Sequence, residues 1–359
     1  MLQIDNIIYV IDPGFCRQNS YSARTGMESL VVVRVSKVSA NQRAGRAGRV
    51  AGGKCFRLYT RGTYMKELGD NTVPEIQRVN LSNVILLLKS LHIHDVHHFH
   101  FLDPPPHELL TMALEHLTDL TALDDNGGLT ELGLLMAEMP VHPMMAKMLL
   151  ASEKYKCSEE IVTIAAMLLV NNAVFYRPKD IQMAIDADRA RRNFYSPAGD
   201  HFTLLNVYKQ WVETDFSTQW CLQNFVRERS MCRARKVREE LVYLVELVEI
   251  EMVSNGGDPI AIGKAITDGY FYNTARLSRS GEYKTVKHNQ TVKIHPDSCM
   301  IEDLPRWVIF HEIVMNTEAL MREIIPIENK WLLEVAPHYY RYTLLDLEDR
   351  AKSRDELQR

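Results

Sequence analysis

The chain has 359 residues, 46% hydrophobic and 25% charged, ordinary globular proportions that exclude disorder, collagen or a coiled coil as the whole answer. At about 100–200 residues per domain, the length predicts about two to four domains. The net charge of −4 hides a contrast: residues 1–78 carry 12 Lys/Arg against 6 Asp/Glu and the remainder 30 against 40, so a polyanion is expected to meet the N-terminal part.

In chain order, Ile7-Ile8-Tyr9-Val10-Ile11 reads as a buried strand ended by Asp12-Pro13-Gly14. A central strand so close to Met1 leads us to expect further chain upstream. Arg24-Thr25-Gly26, between Tyr21 and the run Leu30–Val35, predicts a hairpin, and Phe56–Thr60 predicts another strand. Apolar spacing at Leu81, Val84, Ile85, Leu88 and Leu91 is helical, Pro104-Pro105-Pro106 breaks the chain, and helical spacing returns over 107–123. With the turn Asp124–Gly128 and an extended Leu129-Thr130, this stretch looks like a small winged helix. Residues 142–253 are mostly helical, with patterned stretches at 144–155, 158–170, 200–213 and 227–252. Asn255–Pro259 marks a boundary. One short helix then gives way to strands at 283–287, 291–295, 307–314 and 321–327, which predict a small barrel. The tail from about Leu345 is charged.

Six scattered cysteines form no C-x-x-C pair, which excludes zinc-ribbon and redox motifs and fits a reducing compartment. No signal peptide and no membrane-spanning apolar run is read. His92, His94, His97, His98 and His100 are dense, and His94 and His98 would pair at i, i+4 on a helix, but no metal site is expected. The basic runs Arg189–Arg192 and Arg227–Arg238 are read either as an RNA track or as solvated faces paired with neighbouring acids. Met136, Met139, Met144, Met145 and Met148 are read as core.

The most informative stretch is Asn41-Gln42-Arg43-Ala44-Gly45-Arg46-Ala47-Gly48-Arg49. Arg43, Arg46 and Arg49 stand three apart, which predicts one helical face. Three guanidiniums on one face repel each other, and a polyanion is their natural complement.

That string resembles motif VI of superfamily-two helicases, in the form found in DEAH-box RNA helicases. Val10–Phe15 and Tyr21–Leu30 are similar to that family's segment between motifs V and VI, with its β-hairpin. Lys54–Tyr59 and Val73–Arg78 are similar to its exit toward the winged helix. Leu102–Pro106, Met136–Pro140 and Phe175–Lys179 resemble its helicase-associated region, and Gly269–Arg276, Ile294–Pro296 and Glu334–Tyr340 its C-terminal OB-fold. The resemblance spans about residues 1–345 and implies a multi-domain α/β plus α plus β chain. Its parts would be a partial RecA-like α/β domain (1–78), a winged helix (79–142), a helical ratchet bundle (143–254), an OB-fold barrel (255–345) and a charged tail (346–359).

The resemblance further implies an ATP-dependent RNA helicase of pre-mRNA splicing, closest to the branch acting before the first step, and hence a nuclear protein. Arg46 and Arg49 would be the γ-phosphate arginines, Gln42 and Asp5 nucleotide contacts, and Arg43 structural or paired with a carboxylate. Arg17, Arg24, Tyr270, Tyr272, Arg276, Lys284 and Lys287 would contact RNA. Single-stranded RNA, spliceosome components and a G-patch activator are the implied partners, with no membrane. ATP and Mg²⁺ are expected only with an N-terminal RecA-like domain. The sequence contains no G-x-x-x-x-G-K-[ST] and no Asp-Glu-Ala-His. Gly257–Ala265 only approaches the former, so the chain alone is expected to lack ATPase activity. The alternative expectation is a truncated, non-catalytic module that binds RNA or a G-patch partner.

Overall fold

A computed structural model describes residues 7–22, 27–49, 51–170, 174–315 and 318–340. The chain forms two compact units. One comprises Met1–Leu81 with His97–Leu110, the other Ser82–Val96 with Thr111–Arg359.

In the first unit, β1 (Tyr9–Asp12) pairs in parallel with β4 (Lys54–Arg57), and β2 (Phe15–Ser22) pairs antiparallel with β3 (Met27–Arg34). Between β3 and β4 lies α1 (Lys37–Ala44), and α2 (Arg61–Lys66) follows β4. The expected strand at Phe56–Thr60 therefore begins and ends earlier, since its register is set by pairing with β1. Side chains alternate across a strand. Tyr9, Ile11 and Phe56 consequently share one face of the two-stranded sheet, and all three are exposed, as is Leu58 just past the strand.

The turn after β1 depends on Gly14, whose φ of 82° is left-handed and whose position faces the Tyr59 ring at 2.7 Å from where a Cβ would lie. Ser36 caps α1 by accepting a hydrogen bond from the Ser39 amide at 3.1 Å. The helix stops at Ala44, and residues 45–48 continue as turns. The expectation that Arg43, Arg46 and Arg49 share one helical face is thus corrected. Glycine is a poor helix residue, by about 1 kcal/mol each, and Gly45 and Gly48 follow one another too closely for the helix to propagate.

The second unit opens with α3 (Ser82–Ser90), the larger part of α4 (His107–Asp119, from Thr111 onward) and α5 (Glu131–Ala137). A Leu123↔Leu129 bridge closes the turn before α5, where Asp124 accepts hydrogen bonds from the Asn126 and Gly128 amides. Because α3 ends at Ser90, residues 91–100 are not helical, and the i, i+4 pairing of His94 and His98 is corrected. Among the described residues, no group of three or more His, Cys, Asp or Glu side chains could hold a metal ion.

A helical bundle follows: α6 (Pro143–Lys154), α7 (Ser158–Leu169), α8 (Ile181–Arg192), α9 (Asp200–Glu213), α10 (Thr218–Gln223) and α11 (Glu228–Leu247). Helix α7 is buried almost all round, as expected of a central element. Met167, Val207, Trp211, Met231 and their neighbours form the bundle core. Met136, Met139, Met145 and Met148 are buried too. The near miss to a phosphate loop, Gly257–Ala265, is largely α12 (Pro259–Tyr270), and Lys264 there pairs with Glu334.

The chain then closes a five-stranded barrel of β5 (Thr274–Leu277), β6 (Tyr283–Thr285), β7 (Thr291–Ile294), β8 (Trp307–Met315) and β9 (Ala319–Pro326), in the order β5-β6-β7-β9-β8. Only β7–β9 is parallel among these pairings. Helix α13 (Asn329–Val335) follows and sets Trp331 against Gly263 of α12. Among the described residues no helix is long and apolar enough to cross a membrane.

Bundle and barrel are fastened by Asp200, the first residue of α9. Its carboxylate accepts hydrogen bonds from Ser298 Oγ at 2.7 Å, the Cys299 amide at 2.8 Å and the Ile324 amide at 2.9 Å. The preceding Gly199, at φ 109°, lies against the Ile324 carbonyl, 2.5 Å from where a Cβ would lie, so the helix begins in direct backbone contact with β9.

Candidate nucleic-acid interface

In the first unit, Arg43 is structural. Its guanidinium donates to Asp12 Oδ1 at 2.7 Å and to the Phe15 carbonyl at 3.1 Å. Asp12 is fully buried and also accepts from the Gly14 amide and the Tyr59 hydroxyl. Burial pushes the Asp12 carboxyl up, but the hydrogen bonds from Gly14, Arg43 and Tyr59 outweigh it and hold the group below the usual carboxylate range. Burial, with Asp12 second, pushes Tyr59 up to about 12.

Fixing Arg43 in this way positions the turn that follows. Gln42, Arg46 and Arg49 are all exposed beside it. An amide and two exposed guanidiniums on one short segment are a donor set that fits a phosphate chain. Arg17 is exposed on β2, opposite Val32 of β3, while Asp5 and Arg24 lie outside the described residues.

The five barrel candidates do not form one open surface. Tyr270 is only 2% exposed, with its ring centroid 5.3 Å from that of His311, so the expected base-stacking face at Tyr270 is corrected to core packing. Lys287 bonds Asp119 Oδ2 at 3.1 Å and lies over the rings of Tyr272 and Tyr339, tying the barrel to α4. Burial drives the Tyr272 hydroxyl strongly upward. Arg276 and Lys284 face each other across β5 and β6, half-buried. Burial lowers Arg276, whose guanidinium lies 5.6 Å from the Trp307 ring centroid.

A different surface of the second unit does gather aromatic and basic groups. A cleft of about 590 Å³ runs between the helical bundle and the barrel segment 296–302. Phe175, Tyr176, Tyr195 and Phe225 line it together with Arg177, Arg191 and Arg192. A Phe175↔Val226 bridge and a bond from the Tyr176 amide to the Phe225 carbonyl at 3.1 Å set the aromatic wall. Arg191 covers the Phe175 ring at 4.7 Å and donates to the Asp297 carbonyl at 2.6 Å. Arg177 makes a two-pronged pair with Asp188. Stacking rings beside guanidiniums are the usual grip on a single nucleic-acid strand. Of this cleft, Phe175–Arg177 and the α8 arginines stood out in the sequence. Phe225 and the 296–302 segment join them only through the fold.

By contrast, the basic helix α11 is engaged locally. Arg235 pairs with Glu239 and stacks on Phe216, and Arg238 donates to Thr163.

Comparison with family models matches three modules in chain order. Residues 113–141 match the helicase-associated domain (HA2), winged-helix; residues 142–204 match the helicase-associated domain (HA2), ratchet-like; and residues 262–339 match an oligonucleotide/oligosaccharide-binding (OB)-fold. A helicase-associated winged helix, a helicase-associated ratchet and an OB-fold, in this chain order, are thus what the second unit is similar to.

Proposed function

We propose that this chain is part of an ATP-dependent RNA helicase of nuclear pre-mRNA splicing, in the branch acting before the first step, working with spliceosome components and a G-patch activator. The first unit then represents the edge of a RecA-like domain. ATP with Mg²⁺ supplies the free energy of phosphoryl transfer when bound between two such domains. On this reading Arg46 and Arg49 grip the γ-phosphate, Gln42 orients beside them, Asp5 contacts the nucleotide edge, and the Arg43–Asp12 pair keeps the segment in place. Arg17 and Arg24 track RNA along the hairpin. Arg276, Lys284, Tyr272 and Lys287 act at the barrel surface.

The observation that carries the RNA reading is the aromatic and arginine cleft beside the barrel. A fluorescently labelled single-stranded RNA should bind this chain weakly and lose about 10- to 20-fold in affinity between about 50 and 200 mM salt, as expected for release of counterions from about three phosphates. The double substitution Tyr176→Ala with Arg192→Ala should weaken binding and flatten that slope. Affinity that is indifferent to salt would refute the reading.

A second reading, a non-catalytic module that binds RNA or a G-patch partner, is favoured by the missing G-x-x-x-x-G-K-[ST] run. On either reading the chain alone should give no RNA-stimulated ATP hydrolysis in a steady-state assay. A robust rate would refute that expectation and eliminate the non-catalytic reading.

A further inference from the structure

The β8–β9 ladder keeps one register from Val308↔Pro326 to Met315↔Ala319 and opens at a single place, where His311 would face Glu323. Glu323 adopts φ 44°, a left-handed conformation uncommon for a residue with a side chain. It lines a cavity of about 110 Å³ shared with Met167 and Leu168 of α7 and with Thr203 and Leu204 of α9. Its Oε2 is buried with no hydrogen-bond partner, and so is Nδ1 of His311.

The charges around this carboxyl are largely engaged elsewhere. From α9, Asp200 is filled by its three barrel donors. From α8, Arg191 is held by Asp297 and by the Phe175 ring, although its Nε is buried without a partner. On β8 and β9, Glu312 and Arg322 pair with each other at 4.0 Å. Tyr195 and His295 complete the titratable lining, and the buried His201 of α9 leaves both ring nitrogens unpartnered. An ionised Glu323 would therefore sit near two other carboxylates and two guanidiniums, with no donor bonded to it. Burial first, then Glu312, pushes its carboxyl up to about 8. Burial likewise pushes His311 down to about 4, so the imidazole stays neutral.

We propose that Glu323 carries a proton in the native state and that this proton seats the barrel on the helical bundle, making the α9–β9 junction a pH-operated clasp. The neighbouring residue shows how the clasp would open. The Ile324 amide is one of the three donors to Asp200. A charged Glu323 draws water into the cavity and pulls β9 away from that bond. The native state holds the proton above the pH at which an unfolded Glu releases it, so stability falls as pH rises from about 4.5 to about 8 and then levels.

The test uses the full chain without RNA or nucleotide, so its failure leaves the helicase reading standing. Melting temperatures of the wild type and of Glu323→Gln are compared from about pH 6 to about pH 9.5. The wild type should fall by about 5 °C relative to the variant across that range. Parallel curves would overturn the proposal. Should the variant not fold, carboxyl NMR of the wild type labelled at glutamate decides: a Glu323 midpoint above about 6.5 supports the clasp, and a lower one sinks it.

Discussion

Asp200→Ala should lower the stability of the second unit by about 4 kcal/mol, because two buried donors and one part-buried donor lose their acceptor at once, each loss costing about 1–3 kcal/mol. The donors come from two barrel segments, Ser298 with Cys299 and Ile324, so the damage falls on the seating of the barrel rather than on either module's own core. All four tryptophans (Trp211, Trp220, Trp307 and Trp331) lie in this unit, so their fluorescence during urea unfolding reports the change directly. Asp200→Asn keeps one acceptor and should recover part of the loss. A midpoint unchanged from the wild type in the alanine variant would show that the barrel is held without the Asp200 hydrogen bonds.

Asp12→Ala should cost the first unit about 3 kcal/mol. The substitution strands the Tyr59 hydroxyl, the Gly14 amide and the Arg43 guanidinium together. Arg43 keeps the Phe15 carbonyl and some solvent, which limits the penalty. Hydrogen exchange is the suitable measurement: amide protection at Gly14 and at Val35, which bonds the Gly14 carbonyl, should drop about 100-fold. Since Asp12 is held below the ordinary carboxylate value of 3.8, its contribution is complete above that pH and fades as pH falls beneath it. Protection that survives the substitution would mean that Arg43 is anchored by Phe15 alone.

The helices whose apolar residues repeat cleanly were legible in the sequence to within a residue or two. Pro143–Lys154, Ser158–Leu169 and Asp200–Glu213 all bury a stripe that the spacing already marks. Ile181–Arg192 was not singled out, because it leaves Ile181, Met183 and Ile185 exposed and buries only two alanines. Thr274–Leu277 is too short to show alternation, although the barrel cannot close without it. The motif segment was recognisable by composition, yet its shape was misread, because two glycines end a helix that the arginine spacing alone would continue. Asp200 was invisible as a fastener: its partners lie 98 to 124 positions away, and nothing local distinguishes it from other acids at helix starts. The aromatic cleft was half legible for the same reason, since Phe225 and the 296–302 segment reach Phe175 only through tertiary contact.

The two-stranded parallel sheet of the first unit bears on how the molecule behaves in solution. Tyr9, Ile11 and Phe56 form an apolar strip on a ribbon that has only two strands among the described residues, so its outer rims carry backbone groups that a further strand could pair with. Parallel strands ordinarily persist with both faces covered. An exposed apolar strip of this kind favours association, and a neighbour that covers it would act as a solubiliser.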